Sequence, residues 1–174
     1  MNKLAVIACC LSLTACAGNP DLRPEPYLKS ESFLQQGLNA YENDDFPQAR
    51  DKFKQALQFY QSFDNQHGMA LARLNLAQTA LALSDFANAQ AFLNQLKQQM
   101  SLKPQLQRKI IFLEAKLQFE QQQYSAALKT LQPLLDNSSG ALQTQEEQLN
   151  VLSLQAKLEL FTAPLNPAPG LARF

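Results

Sequence analysis

The sequence has few of the residues from which catalytic and metal sites are built. It contains no Trp, one His, five Gly and three Cys among 174 residues. All three cysteines lie within the first sixteen residues, so the remaining chain has no thiol for a disulfide framework, a zinc site or a Cys-His catalytic pair. His67 has too few neighbouring ligands for a metal site, which needs three or four. We therefore expect no enzyme, no metal and no cofactor.

Charge is also scarce. Charged residues make up 17% of the chain, and Lys+Arg 15 balance Asp+Glu 15 to a formal net charge of zero. The usual charged fraction is about 25%, and here 23 glutamines supply much of the polar surface instead. A neutral chain lacks the basic footprint of a nucleic-acid binder or of a polybasic membrane patch. We expect no nucleic-acid partner.

The first sixteen residues form a targeting signal. A positive start at Lys3 precedes ten mostly apolar residues, 4–13. This run is too short for a transmembrane helix, which needs about 20 residues, and it is typical of a signal peptide. The following Leu13-Thr14-Ala15-Cys16 resembles a bacterial lipobox, in which the cysteine thiol is joined to diacylglycerol and further acyl chains such as palmitate. The alternative is a secreted protein, because Ala15-Cys16-Ala17 also fits an A-x-A cleavage site.

The lipobox divides the chain before the folded body. Residues 1–15 would be the signal peptide, and residues 16–29 would be the acylated Cys16 followed by a proline-rich tether. Ala17, rather than Asp, follows the cysteine. By resemblance to lipoproteins of Gram-negative bacteria, this predicts an anchor at the periplasmic face of the outer membrane, if the host is Gram-negative.

The body of the chain is an internal repeat. Three segments align on small and large residues at the same offsets, 0, 3, 9, 12, 16 and 19 from a small residue, and their starts lie 40 and 38 residues apart. The copies are Gly37, Ala40, Phe46, Ala49, Phe53, Ala56; Ala77, Ala80, Phe86, Ala89, Leu93, Leu96; and Ala115, Gln118, Tyr124, Ala127, Leu131, Leu134. Small residues let two helix backbones approach closely, and the large residue at offset 16 fills the space between them. The alternative is a bundle of unrelated amphipathic hairpins.

This pattern resembles the tetratricopeptide repeat (TPR), a unit of two helices, A and B, joined by a turn. The family's Trp in helix A and Pro in helix B are absent, and Leu96 and Leu134 are larger than its usual Ala. The resemblance covers residues 30–161 and implies an all-α solenoid of three repeats plus a C-terminal capping helix, before a proline-rich tail, 162–174. The predicted helices are Ser30–Tyr41, Phe46–Phe63, Gly68–Leu83, Phe86–Met100, Pro104–Gln121, Tyr124–Leu135 and Leu142–Phe161.

The resemblance also implies a binding groove lined by the A helices. Its positions are −3, +1 and +4 from the first small residue of each copy. They are Leu34, Leu38 and Tyr41; Leu74, Gln78 and Leu81; and Phe112, Lys116 and Phe119. Most of these side chains are large and apolar, so we expect an apolar or aromatic segment of a partner rather than an acidic tail.

Two classes of function follow. The first is a lipid-anchored, non-enzymatic adaptor that binds an envelope protein or peptide through this groove and supports assembly of a pilus, secretin or outer-membrane complex. The second is an enzyme-associated or small-ligand-binding lipoprotein, which requires convergent polar groups in a pocket. A third possibility is a shortened remnant of a longer TPR protein.

Overall fold

The computed structural model describes residues 23–99, 102–136 and 145–162, and the side chains of the last range from residue 150 onwards. Within these ranges the chain is all-helical and has no strand. The helices are α1 (Glu25–Glu42), α2 (Phe46–Ser62), α3 (Gln66–Ala82), α4 (Phe86–Lys97), α5 (Pro104–Glu120), α6 (Tyr124–Asp136) and α7 (Gln145–Thr162). The all-α prediction is confirmed. The signal peptide, Cys16 and the tail after Thr162 lie outside the described residues.

The first helix begins five residues earlier than the sequence predicts. Residues 25–29, expected to belong to the tether, form the first turns of α1. Pro24 precedes the helix and Pro26 lies in its first turn, where a missing N–H removes no intrahelical hydrogen bond. Lys29 also forms an ion pair with Glu25 at 2.6 Å, an (i, i+4) contact on the exposed helix surface. The prolines therefore start this helix rather than prevent it.

The same three-residue turn joins four pairs of consecutive helices. In the first turn, the N–H of Asp45 donates to the carbonyl of Ala40 at 2.9 Å, and that of Asp44 donates to Tyr41 at 3.1 Å. These two bonds define a Schellman motif, whose central residue adopts the left-handed conformation. The central residues are Asp44, Asp64, Ser84 and Gln122, with φ between 52° and 62°. The turn is short, so the two helices that it joins pack antiparallel.

The last residue of three of these turns also begins the next helix. Asp45, Asn65 and Asp85 each accept a hydrogen bond from a backbone N–H in the first turn of the helix that follows. This is N-cap chemistry, and it satisfies a donor that the helix itself cannot. The side chain and then the backbone N–H of Asn88 bond to Asp85 and hold the pKa of its carboxyl below the ordinary value. One residue therefore ends one helix and caps the next.

The repeat offsets mark the contacts between paired helices. We call α1–α2 unit 1, α3–α4 unit 2 and α5–α6 unit 3. The residues at offsets 0, 12, 16 and 19 are buried in every unit, including the large Leu96 and Leu134. In unit 1 a Cβ added to Gly37 would lie 2.5 Å from Cε1 of Phe53. Units 2 and 3 pair Ala with Leu at these two positions, whereas unit 1 pairs Gly with Phe.

The units join through shared hydrophobic clusters. One cluster contains buried residues of α3, α4 and α5, and another contains those of α5, α6 and α7. Each helix contacts the next helix in the chain. In addition, α3 contacts α5, and α5 contacts α7. Among the described helices none is long and apolar enough to cross a bilayer. The described chain is therefore an array of helical hairpins in which the A helices α3, α5 and α7 lie side by side.

Candidate partner-binding face of the A helices

Two residues predicted to line the groove are buried inside the array. Leu74 is 4% exposed and Leu81 is 6% exposed, and both belong to the core cluster that joins α3, α4 and α5. Side chains this deeply buried have almost no surface left for a partner. Their assignment to the groove is wrong, and the reason is that offsets −3 and +4 point towards neighbouring helices of the array.

The residues at offset +4 contact the aromatic that begins helix B. The ring of Tyr41 lies 5.2 Å from that of Phe46 in an edge-on arrangement, and the ring of Phe119 lies 5.5 Å from that of Tyr124. Such pairs stabilise the end of each hairpin. Tyr41 and Phe119 are half-buried for this reason, and offset +4 is primarily a packing position within the unit.

The other predicted residues keep part of their surface. Leu34 and Leu38 pack against the clusters of unit 1, and Phe112 packs against both clusters that meet at α5. All three are half-buried, as are Gln78 and Lys116. Offset +1, which contributes Leu38, Gln78 and Lys116, is therefore the part of the predicted groove that remains open to solvent in every unit.

The stripe that faces solvent includes offset +1 and continues to offsets −6 and +5. At 100° per residue these three offsets lie within about 40° of one another on a helix. We call this stripe the A face. On α7 offset 0 is placed at Ala156, which follows Ala115 by 41 residues. The residues of the A face, all half-buried or exposed, are Glu31, Leu38, Glu42 on α1; Leu71, Gln78, Ala82 on α3; Lys109, Lys116, Glu120 on α5; and Asn150, Lys157, Phe161 on α7. The A face is thus more polar than the sequence analysis predicts.

Charge on the A face changes sign along the array. Its α1 portion carries two carboxylates, Glu31 and Glu42, and its α3 portion carries no charge. Its α5 portion carries Lys109 and Lys116 with one glutamate, and α7 adds another lysine. Long-range potentials of this kind orient a charged partner before contact is made. The A face is therefore acidic at α1 and carries its lysines on α5 and α7.

A cleft of about 510 Å³ opens between α1 and α3 at the acidic end of this face. Such a volume is within the range of about 300–1,000 Å³ that ligand pockets usually have. Apolar, aromatic and polar side chains from α1, α2 and α3 converge on it. They are Tyr27, Glu31, Leu34, Gln35, Tyr60, Asn65, His67, Gly68 and Leu71. Of these, only Leu34 belongs to the groove predicted from sequence.

Close packing of α2 against α3 forms one wall of the cleft. A side chain at Gly68 would overlap the ring of Tyr60, so glycine is what allows α3 to begin against this ring. Burial raises the pKa of the Tyr60 hydroxyl, and a hydrogen bond with Ser30 opposes the shift. The Ser30 hydroxyl itself donates to the carbonyl of Tyr27 at 2.7 Å. The Tyr60 hydroxyl therefore stays protonated at neutral pH, and the residue forms part of the wall of the cleft.

The rim of the cleft already holds one guanidinium. The Arg23 side chain lies 4.9 Å from the centre of the Tyr27 ring, and its Nη1 lies 2.5 Å from Oε2 of Glu31. A ring face and a carboxylate together favour a planar cation. This contact within the chain shows that the rim of the cleft can bind a guanidinium group.

His67 lies at the same rim, in the first turn of α3. Its side chain is exposed, as expected from its polar surroundings. In the part of the chain that the structure describes, no three His, Cys, Asp or Glu side chains converge to hold a metal. Sequence reasoning missed Tyr27 because it assigned this residue to the tether. It missed Glu31 and Leu71, although both lie six residues before the small residue of their helix.

Comparison of the chain with protein-family models, with curated proteins and with solved structures finds no match.

Proposed function

We propose that this protein is a lipid-anchored, non-enzymatic adaptor whose TPR-like array binds an extended segment of an envelope protein along the A face. The single observation that carries the proposal is the cleft between α1 and α3, which opens on the same helix face as the charged stripe of α5. A cleft followed by a charged stripe suits a segment that inserts one or two side chains and continues along the helices.

The TPR-like part of the proposal is supported by three features. The offsets of small and large residues recur in three units, the helices of each unit are joined by the same turn, and the A helices α3, α5 and α7 lie side by side. Repeat arrays of this kind use an extended face for binding, because each unit contacts only its neighbours.

The partner chemistry follows from the rim of the cleft and from the charge along the face. Glu31 and the Tyr27 ring favour an arginine or lysine of the partner, which would displace Arg23. Leu34 and Leu71 favour an apolar side chain beside it. Acidic residues of the partner would then meet Lys109 and Lys116. The groove proposed here is therefore mixed in polarity, whereas the sequence pattern favours an apolar partner.

The proposed anchor would keep this cleft close to the membrane. Six residues lie between Cys16 and Arg23, so their α-carbons are at most about 25 Å apart even when this segment is fully extended. An acylated Cys16 with more than one acyl chain would bind the bilayer stably. A partner held in the cleft would then lie near the membrane surface, as assembly of an envelope complex requires.

A second candidate is the binding of a small ligand in the same cleft. The observation in its favour is that Glu31, Gln35, Asn65 and His67 all reach one cavity. A small ligand would use the cleft and leave the lysines of α5 without a role. The two candidates therefore differ in whether α5 takes part in binding.

The proposal is tested by site-specific photocrosslinking in cells of the native host. A photoreactive amino acid is placed at Leu71 beside the cleft and at Lys116 on α5. Matched controls carry it at exposed positions of B helices, Ala87 and Lys129. We expect one envelope protein to crosslink from both A-face positions and from neither control. Protein crosslinks from Leu71 without any from Lys116 would indicate a shorter protein-binding site, and no protein crosslink from either position would favour the small-ligand alternative. Equal crosslinking from all four positions would contradict the proposal.

The anchor is tested separately. Replacing Cys16 with Ala removes the thiol that would be acylated, so the protein should leave the membrane fraction or remain an uncleaved precursor. The control is Cys10→Ala, which alters a thiol within the predicted signal peptide and should leave fractionation unchanged. A Cys16→Ala protein that fractionates with membranes as the wild type does would exclude the lipid anchor while leaving the A face untouched.

A further inference from the structure

Helix α7 occupies the position of helix A in a fourth unit. Ala156 follows Ala115 by 41 residues, close to the spacing between the other copies. Offsets −5, −2 and +2 from Ala156 are Val151, Leu154 and Leu158, and all three are buried against α5 and α6. These offsets are where an A helix meets the preceding unit.

The same offsets are apolar and buried in α5, whereas in α3 they are smaller or polar and only two of the three are buried. In α5 they are Ile110, Leu113 and Leu117, which are buried in the cluster shared with α3 and α4. In α1, which has no preceding unit in the described chain, they are polar and exposed. These residues are Ser32, Gln35 and Asn39. The alignment of Ala156 with the small residues of the three units therefore rests on burial as well as on spacing.

A different stripe of each A helix faces its own helix B. In unit 1 the residues at offsets −4, 0 and +4 each contact α2. The ring of Phe33 stacks on Phe59 at 5.5 Å, Gly37 lies against Phe53, and Tyr41 meets Phe46. A helix B is thus what covers offsets −4, 0 and +4 in a complete unit.

In α7 this stripe is apolar and open. Its members are Leu152, Ala156 and Leu160, and the two leucines are 56% and 76% exposed. Phe161 extends the apolar surface beside Leu160, is 55% exposed and stacks on Tyr124 at 4.8 Å. Terminal capping helices usually have a polar outer face, whereas this stripe of α7 is apolar.

We propose that the stripe Leu152–Ala156–Leu160 binds an amphipathic helix of a partner protein, packed as the second helix of a fourth unit. The B helices of the three complete units indicate the sequence pattern that this helix requires. It requires a small residue opposite Ala156, at the position that Ala49, Ala89 and Ala127 have in the complete units. A large apolar residue follows four positions later, and an aromatic or large residue stands three positions earlier. This site lies beyond the A face and is independent of the proposed function.

The pattern of a B helix, with a small residue between an aromatic three positions earlier and a large apolar residue four positions later, does not recur in residues 163–174. Residues 163–174 include Pro164, Pro167 and Pro169, and proline inside a helix removes a hydrogen bond and clashes with the preceding turn. A second copy of α7 is also a poor match, because Ser153 stands where a B helix has its aromatic, three residues before the small residue. A helix from another protein fits the observed stripe better than either.

The best available probe is a peptide with the sequence of residues 85–99, which form the N-cap and body of α4 and the two residues after it. In unit 2 this helix covers Ala77 and Leu81, and α7 presents the same pair of residue types as Ala156 and Leu160. We expect the labelled peptide to bind the full chain saturably, as measured by fluorescence anisotropy. A control peptide with Ala89→Arg places a charge at the helix crossing and should bind at least ten-fold more weakly.

Variants of the full chain locate the binding. Ala156→Arg should weaken binding of the wild-type peptide at least ten-fold, and Asn150→Arg, on the A face of α7, should leave it unchanged. Both positions are exposed, so circular dichroism should show an intact fold for each. Asn150 lies on the A face and outside the stripe. Loss of peptide binding in Asn150→Arg would therefore mean that the stripe is not the peptide-binding site, and it would overturn the proposal.

Other outcomes would also overturn the proposal. They are the absence of saturable binding, and binding that persists in Ala156→Arg. Binding that appears only after deletion of residues 163–174 would mean that this segment covers the stripe. Concentration-dependent dimerisation that Ala156→Arg abolishes would mean that a second copy covers it. Crosslinking to the A face is unaffected by any of these results.

Discussion

The substitution Gly37→Ala tests the packing of the first hairpin. In an exposed helix interior, Ala in place of Gly would stabilise the protein by about 1 kcal/mol. Here the new Cβ would lie 2.5 Å and 2.6 Å from two carbons of the Phe53 ring, which is fully buried. Overpacking of a close-packed core costs about 1–3 kcal/mol. We expect overpacking to exceed the gain in helix propensity, with a net loss of about 1–2 kcal/mol.

The size of the Phe53 ring is the cause, so a smaller residue there should cancel the effect. Phe53→Leu alone should cost about 1–2 kcal/mol through lost contacts and a residual cavity. Combined with Gly37→Ala it recreates the Ala–Leu pair of units 2 and 3. The double variant should therefore be no less stable than Phe53→Leu alone, which corresponds to a favourable coupling of about 1–3 kcal/mol.

Urea unfolding followed by circular dichroism measures all four proteins of this cycle. The reciprocal control is in unit 2, where Leu93→Phe should destabilise the protein and Ala77→Gly should partly rescue it. The reasoning is refuted if Gly37→Ala is as stable as the wild type, or if the double variant is less stable than Phe53→Leu. Either result would mean that the ring moves aside without cost.

Three further predictions concern the turns and the core. Gln122→Gly should stabilise the protein by about 0.5–1 kcal/mol in urea unfolding, because glycine adopts the left-handed conformation without strain and only part of this gain is lost to the unfolded chain; no gain would contradict the turn geometry. The pKa of Asp85 is lowered in the fold by its hydrogen bonds to Asn88, so the stability it contributes is complete above about pH 4 and is lost as the pH falls through the folded-state pKa. The advantage in melting temperature of the wild type over Asp85→Asn should shrink between pH 5 and pH 3, and a constant difference would be evidence against this cap. Ala89→Arg should unfold the array by burying an unpaired charge, at a cost of about 3–5 kcal/mol, whereas the exposed Ala87→Arg should leave the thermal melt unchanged.

The helices and their internal packing could be predicted because the signals are local. A small residue at a fixed distance from a large one, repeated three times, determines which side chains meet inside a hairpin, and Gly37 with Phe53 or Ala77 with Leu93 confirm this. The turns could be predicted as polar breaks. Their shared Schellman geometry could not, because none of the four residues at its left-handed position is glycine.

The open face could not be predicted from the same pattern. Whether a residue at offset −3 or +4 is exposed depends on how one unit packs against the next, and this is decided by side chains far away in sequence. Leu74 is buried by residues of α4 and α5, and nothing within α3 indicates it. The residues of the cleft were missed for a related reason, since Tyr27 belongs to a helix that begins between two prolines.

The open stripe of α7 is a second surface that could not be predicted from the sequence pattern alone. The sequence correctly predicts a helix, α7, after the third unit. The burial of Val151, Leu154 and Leu158 had to be seen in the structure before the opposite stripe could be recognised as open. The buried side of α7 identifies which of its exposed residues lie where a helix B would pack.

The most direct test of the adaptor account is a comparison of partner recovery from membranes. The full-length wild type is purified under mild conditions beside Lys109→Glu/Lys116→Glu, which reverses the basic end of the A face, and beside Lys54→Glu/Lys129→Glu, which reverses two exposed lysines of B helices. The account predicts that one envelope protein is recovered with the wild type and with the B-helix variant, and at least five-fold less with the A-face variant. Equal recovery with all three proteins would contradict it.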